Sequence, residues 1–72
     1  MVDARGLKCP EPLMVVRGAV RQLASGGTLH IVATDASTTR DIPSYCRFLE
    51  HELLRQWQEA DEYHFLLRKG PR

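Results

Sequence analysis

Leu7-Lys8-Cys9-Pro10-Glu11-Pro12-Leu13 reads as a loop running directly into the first turn of a helix. Proline has no backbone N–H, and the first turn is the one place in a helix where that donor has no internal partner, so Pro10 and Pro12 both fit there. Glu11 suits the same turn, because a carboxylate offsets the positive end of the helix dipole. Cys9 is thereby placed just outside a helix N-terminus, next to Lys8. Both neighbours favour a thiolate over a neutral thiol, while Glu11 works against them.

Outward from this stretch the chain divides cleanly. Val2 to Arg5 reads as a short edge strand entering a turn at Gly6. From Pro12 to about Ala24 the helical period is clear: Leu13, Val16, Val20 and Leu23 form a stripe, widened by Val15, Ala19 and Ala24. Ser25-Gly26-Gly27 supplies the stop. Thr28 to Thr34 alternates as a strand, with Leu29, Ile31 and Ala33 on one side. Asp35 to Thr39 gives turn and capping chemistry ahead of a second helix. Pro43 is assigned to the first turn of that helix, so its regular part is expected from about Asp41 to Leu53, with Ile42, Cys46, Leu49 and Leu53 as its buried stripe. Arg55 to Glu59 reads as a third strand around Trp57, Ala60-Asp61 as a turn, and Tyr63 to Arg68 as a fourth strand. Gly70-Pro71-Arg72 is expected to be a loose tail.

The order β-α-β-α-β-β predicts an α+β fold, a two-layer sandwich with two helices on one face of a four-stranded mixed sheet. A right-handed crossover through the first helix sets Cys9 on the rim where small α/β proteins do their chemistry. The other sheet face is expected to be the more exposed one. At 72 residues the chain makes one domain, 1–72, with 43% hydrophobic and 26% charged residues as in ordinary globular proteins. The net charge of +1 supplies no basic field for nucleic acid. No apolar run near the start marks a signal peptide or membrane anchor, so a cytoplasmic monomer with no membrane partner is expected. Cys9, Cys46, His30, His51 and His64 lack metal-ligand spacing, so neither a metal nor a cofactor is expected, and the histidines are assigned to the surface. Cys46 is assigned to the core, since free cysteine is among the most buried residue types.

One exposed thiol has limited options. Cysteine hydrolases pair the thiol with a base and an orienting group, and no histidine lies near Cys9 in sequence. Cys9-Pro10-Glu11-Pro12 lacks the second cysteine of a Cys-x-x-Cys pair. What remains is chemistry completed by partners, in which the thiolate accepts a group from one protein and presents it to another. Persulfide sulfur is a natural cargo, since thiolate attack on a sulfur–sulfur bond needs no cofactor.

Asp3-Ala4-Arg5-Gly6-Leu7-Lys8-Cys9-Pro10-Glu11-Pro12-Leu13-Met14-Val15-Val16-Arg17 resembles the opening of the TusA branch of the SirA-like family. Asp35 with Thr38 to Pro43, and then Cys46 to Leu53, resembles that branch's second signature. The closing Tyr63-to-Gly70 stretch also fits. The resemblance implies a cytosolic sulfur carrier rather than a self-sufficient enzyme. Cys9 would be its persulfide residue, with Lys8, Pro10, Glu11 and Pro12 as the supporting motif. It further implies a PLP-dependent cysteine desulfurase as donor, a TusBCD-type complex as acceptor, and 2-thiouridine at the tRNA wobble position as the end product. Molybdenum-cofactor assembly and general sulfur metabolism are alternative destinations within the family. A thiol redox or sensor protein is the reading from another class.

A relay protein must also be gripped by successive partners. Arg17 and Arg21 are i,i+4 neighbours on the polar side of the first helix, and Met14 lies between Arg21 and Gly18 in projection. A methionine flanked by arginines makes an adaptable contact. Phe48 falls about 120° from the second helix's stripe at ~100° per residue, as an exposed aromatic anchor would. Asp35 is expected at the same rim as Cys9. Met14, Arg17, Arg21, Asp35 and Phe48 are therefore the expected partner contacts.

Overall fold

A computed structural model describes residues 1–71. Its elements run β1 (Val2–Ala4), α1 (Glu11–Arg21), β2 (Thr28–Ala33), α2 (Thr38–Phe48), β3 (Glu52–Glu59) and β4 (Glu62–Arg68). The class is α+β, two helices with a four-stranded mixed sheet, as the element order predicts. The strand order is β1-β2-β4-β3. β1 pairs parallel to β2, with Ala4 opposite Ala33, and the other two pairings are antiparallel. Parallel pairing of β1 and β2 sends both strands out of the sheet at the same rim. The loop carrying Cys9 and the loop opening α2 are therefore neighbours.

The core is a single cluster of Val16 and Val20 from α1, Ile42 and Cys46 from α2, and Ile31, Phe65 and Leu67 from the sheet. These are the inward positions of each element's period, which is why the helices cover one sheet face only. No helix among the described residues is long and apolar enough to cross a membrane.

Several expected boundaries move. α1 stops at Arg21 rather than near Ala24, because Gln22 and Leu23 donate to the carbonyls of Ala19 and Val20 in a tightened last turn. Val15 and Ala24 are exposed rather than part of the buried stripe. α2 begins at Thr38 and contains Pro43 in its interior. The carbonyl that Pro43 leaves without an N–H, that of Thr39, accepts from Gln56 Nε2 at 3.4 Å, so a neighbouring strand meets the need. α2 ends at Phe48, and Leu53 belongs to β3. The chain leaves the helix at Glu50 (φ 63°). There Glu50 N–H donates to Arg47 and His51 N–H to Cys46, the paired bonds of a Schellman stop built without glycine. β3 therefore starts at Glu52, with a bulge between Leu53 and Arg55.

The histidines are not surface residues. His51 and His64 are each only 9% exposed, and His30 is half-buried. On the sheet face away from the helices, Trp57, His64 and His30 lie within 5.4 Å of one another and nearly parallel. This layer helps bury His64 and Val32 where an open face was expected. His51 Nδ1 accepts the N–H of Gly70 at 2.9 Å, so Gly70 is tied down rather than loose. Arg72, the end of the expected tail, lies outside the described residues.

Candidate functional site

The site is assembled where two parallel strands end. After β1 the chain turns through Gly6 at φ 81°, a conformation that glycine adopts without a Cβ penalty. Gly6 N–H then donates to Thr34 Oγ1 at 2.9 Å, fastening the loop to the end of β2. Cys9 follows, one residue ahead of Pro10, the N-cap of α1. Pro12 occupies the first turn and is buried, so it anchors the helix start, while Lys8, Cys9, Pro10 and Glu11 face solvent.

Asp35, the second residue after β2, holds this loop. One carboxylate oxygen accepts the Cys9 N–H at 2.7 Å and the other the Ser37 N–H at 3.0 Å. These two bonds, with the nearby positive charge of Lys8, keep the Asp35 carboxyl below its ordinary value. Its backbone carbonyl accepts from Thr38 Oγ1 at 2.6 Å, which helps start α2. The carboxylate expected to meet a partner is thus engaged inside the chain.

Asp41, in the first turn of α2, reaches the sulfur itself. The Cys9 thiol donates to Asp41 Oδ2 across 3.5 Å, and Asp41 Oδ1 faces Arg40 Nε at 3.5 Å. The charge balance drawn from sequence contained the helix N-terminus, Lys8 and Glu11, and missed this carboxylate. The available signal was topological: Cys9 and Asp41 each follow a strand of the parallel β1–β2 pair.

From Asp41 a groove of about 520 Å³ runs between the helices, lined by Leu13, Arg17, Ser44, Tyr45, Phe48 and Leu49. Arg17, Tyr45 and Leu49 also line the next hollow, about 330 Å³, which adds Arg21, His51 and Lys69. Phe48 is 83% exposed and Met14 61%. Met14 shares a shallow depression on α1 with Arg17 and Arg21. The structure therefore brings Cys9 and Asp35 together, joins Arg17 and Phe48 in one groove with Asp41, and sets Met14 and Arg21 in a separate depression that Arg17 also lines.

The other cysteine is a different kind of group. Cys46 is 2% exposed, and burial pushes its thiol up to about 11. The three imidazoles are engaged elsewhere, His30 with His64 and His51 with Gly70. Cys9 is left as the accessible thiol, with carboxylates rather than a histidine beside it.

Fold and site together define a small α+β protein that presents one thiol at the rim of its sheet. A family model described as Sulfurtransferase TusA matches residues 1–69, nearly the whole length. The chain belongs to the TusA sulfurtransferase family, and is accordingly a sulfur carrier that works in relay with other proteins.

Proposed function

We propose that Cys9 carries sulfane sulfur as a persulfide, taken from a PLP-dependent cysteine desulfurase and handed to a TusBCD-type acceptor complex. The route ends in 2-thiolation of the wobble uridine of tRNA, and the protein acts as a cytoplasmic monomer. The observation that carries this reading is the contrast between the two thiols. Cys9 stands exposed at the rim, and Cys46 is sealed in the core. A redox or sensor role would need a resolving thiol, and Cys46 is in no position to serve.

Transfer itself is thiol chemistry. The acceptor sulfur attacks the outer sulfur of a persulfide, and the inner sulfur leaves. The groove from Asp41 to Phe48, with Arg17, Arg21 and Met14 beside it, is the surface on which partners dock, and the apolar Phe48 is its anchor. Asp35 supports docking indirectly, by fixing the Cys9 loop.

The test is an intact-mass measurement after incubation with a cysteine desulfurase and cysteine. The expected result is a gain of one sulfur that Cys9→Ser abolishes and Cys46→Ser retains. A gain that survives Cys9→Ser, or an oxygen adduct in its place, would overturn the reading. A pull-down of the persulfidated protein identifies the acceptor and separates tRNA thiolation from molybdenum-cofactor assembly and other sulfur metabolism.

A further inference from the structure

Two carboxylates flank Cys9, and their geometry gives them different work. Asp35 is occupied by backbone N–H groups, whereas Asp41 Oδ2 meets Sγ directly. Sulfur exchange normally proceeds with negative charge on the attacking and leaving sulfurs. A carboxylate in contact with the sulfur opposes such charge. The two facts are compatible when the sulfur on this carrier holds a proton before and after each exchange, and the carboxylate moves that proton between atoms.

We propose that Asp41 is the proton shuttle of sulfur exchange at Cys9, passing one proton between Sγ of the empty carrier and the outer sulfur of the loaded one. This rests on the persulfide reading above. In loading, Sγ bonds to the outer sulfur of a donor persulfide anion. The bond from that sulfur to the donor's inner sulfur breaks, and its electron pair leaves with the donor as a thiolate. The Cys9 thiol proton passes to Asp41 Oδ2 and from there to the outer sulfur, where protonation makes the sulfur electrophilic. Donor–S–S⁻ and Cys9–SH become donor–S⁻ and Cys9–S–SH, with no net oxidation and no further reagent. Delivery is the same step reversed, with the proton returning to Sγ as it leaves.

The placement of Asp41 fits this role. Its side chain is 24% exposed at the mouth of the groove, so it is accessible to the exchanging sulfurs yet partly shielded from water. The other charges around it are Lys8, which acts on Asp35, Glu11 in the first turn of α1, Arg40, which faces the far oxygen of Asp41, and Arg17 of α1, which lines the same groove. Asp41 is the one in contact with Sγ.

The experiment is single-turnover loading of Cys9 from a low-molecular-weight persulfide, quenched by alkylation and read by intact mass, between pH 6 and 10. A small donor keeps partner docking out of the measurement. Asp41→Asn fills the same space and cannot carry the proton. Its loading rate is expected to fall on the order of 10²-fold at pH 6–7, the low end of what a positioned acid–base group contributes. The deficit should close above about pH 9, where an ordinary thiol ionises unaided. Loading by Asp41→Asn at or above the wild-type rate at pH 7 overturns the proposal, since Asp41 would then only repel charge. So does a deficit of constant size across the range, which marks a structural role. Asp41→Ser gives the same profile if Asn disturbs the start of α2, with circular dichroism as the folding control. Wild-type protein that fails to load at all defeats the carrier reading instead.

Discussion

Cys46 offers a quantitative test of how the core is built. Burial among Val16, Ile42 and Phe65 moves its thiol from an ordinary 9.0 to about 11. As pH rises past 9 the unfolded chain loses this proton while the folded chain keeps it. Stability therefore falls with pH through that interval, and the loss is complete near pH 11. At about 1.4 kcal/mol per pH unit the loss is on the order of 3 kcal/mol. A 72-residue domain has roughly 4–11 kcal/mol in total, so the effect is a large fraction of it. Cys46→Ala removes the titrating group at a cost of about 1–2 kcal/mol for the smaller side chain. In urea unfolding at pH 8, 9, 10 and 11, the wild type should begin as the more stable protein, and the two curves should converge or cross by pH 11. The difference between the two chains isolates the Cys46 thiol together with its charge coupling to Tyr45. Curves that stay parallel from pH 8 to 11 would falsify the assignment of Cys46 to a dry core.

Three further outcomes are expected. Gly70→Ala drives a Cβ into the Glu50 backbone carbonyl and disturbs the Gly70–His51 bond, so stability falls by about 1–3 kcal/mol and Tm by several degrees, measured by thermal unfolding. Asp35→Ala releases the Cys9 N–H, and hydrogen exchange at that amide should accelerate while the core amides keep their protection. Because the Asp35 carboxyl lies below its ordinary value, wild-type protein should show the same release only in acid, as pH drops through that lowered value, and retain the bond above the ordinary 3.8. Arg17→Glu and Arg21→Glu should weaken desulfurase-dependent loading at limiting desulfurase and leave the circular dichroism spectrum unchanged. Equal loading rates in both variants would remove these residues from the docking surface.

Much of the fold was legible because short-range chemistry and tertiary demand agree. The Cys9-to-Leu13 stretch carries two prolines that suit a helix start, and Leu29, Ile31 and Ala33 alternate as in a half-buried strand. Pro43 misled because a proline is normally confined to a helix's first turn, and the Gln56 side chain that accommodates it in the interior comes from β3. The end of α2 was illegible because a glutamate, not a glycine, takes the left-handed position after the helix. His30 and His64 looked like surface residues because the Trp57–His64–His30 layer exists only once β2, β4 and β3 are side by side.

The site divides along the same line. Local sequence by itself determined that a cysteine would stand at the threshold of a helix, because the residues that start α1 are contiguous with it. Only the tertiary structure decided what surrounds that sulfur. Asp35 and Asp41 are remote in the chain and reach Cys9 because β1 and β2 run parallel and open onto one rim. Strand pairing is a long-range choice, and the polarity of a reactive atom's surroundings follows from it rather than from the atom's neighbours in sequence.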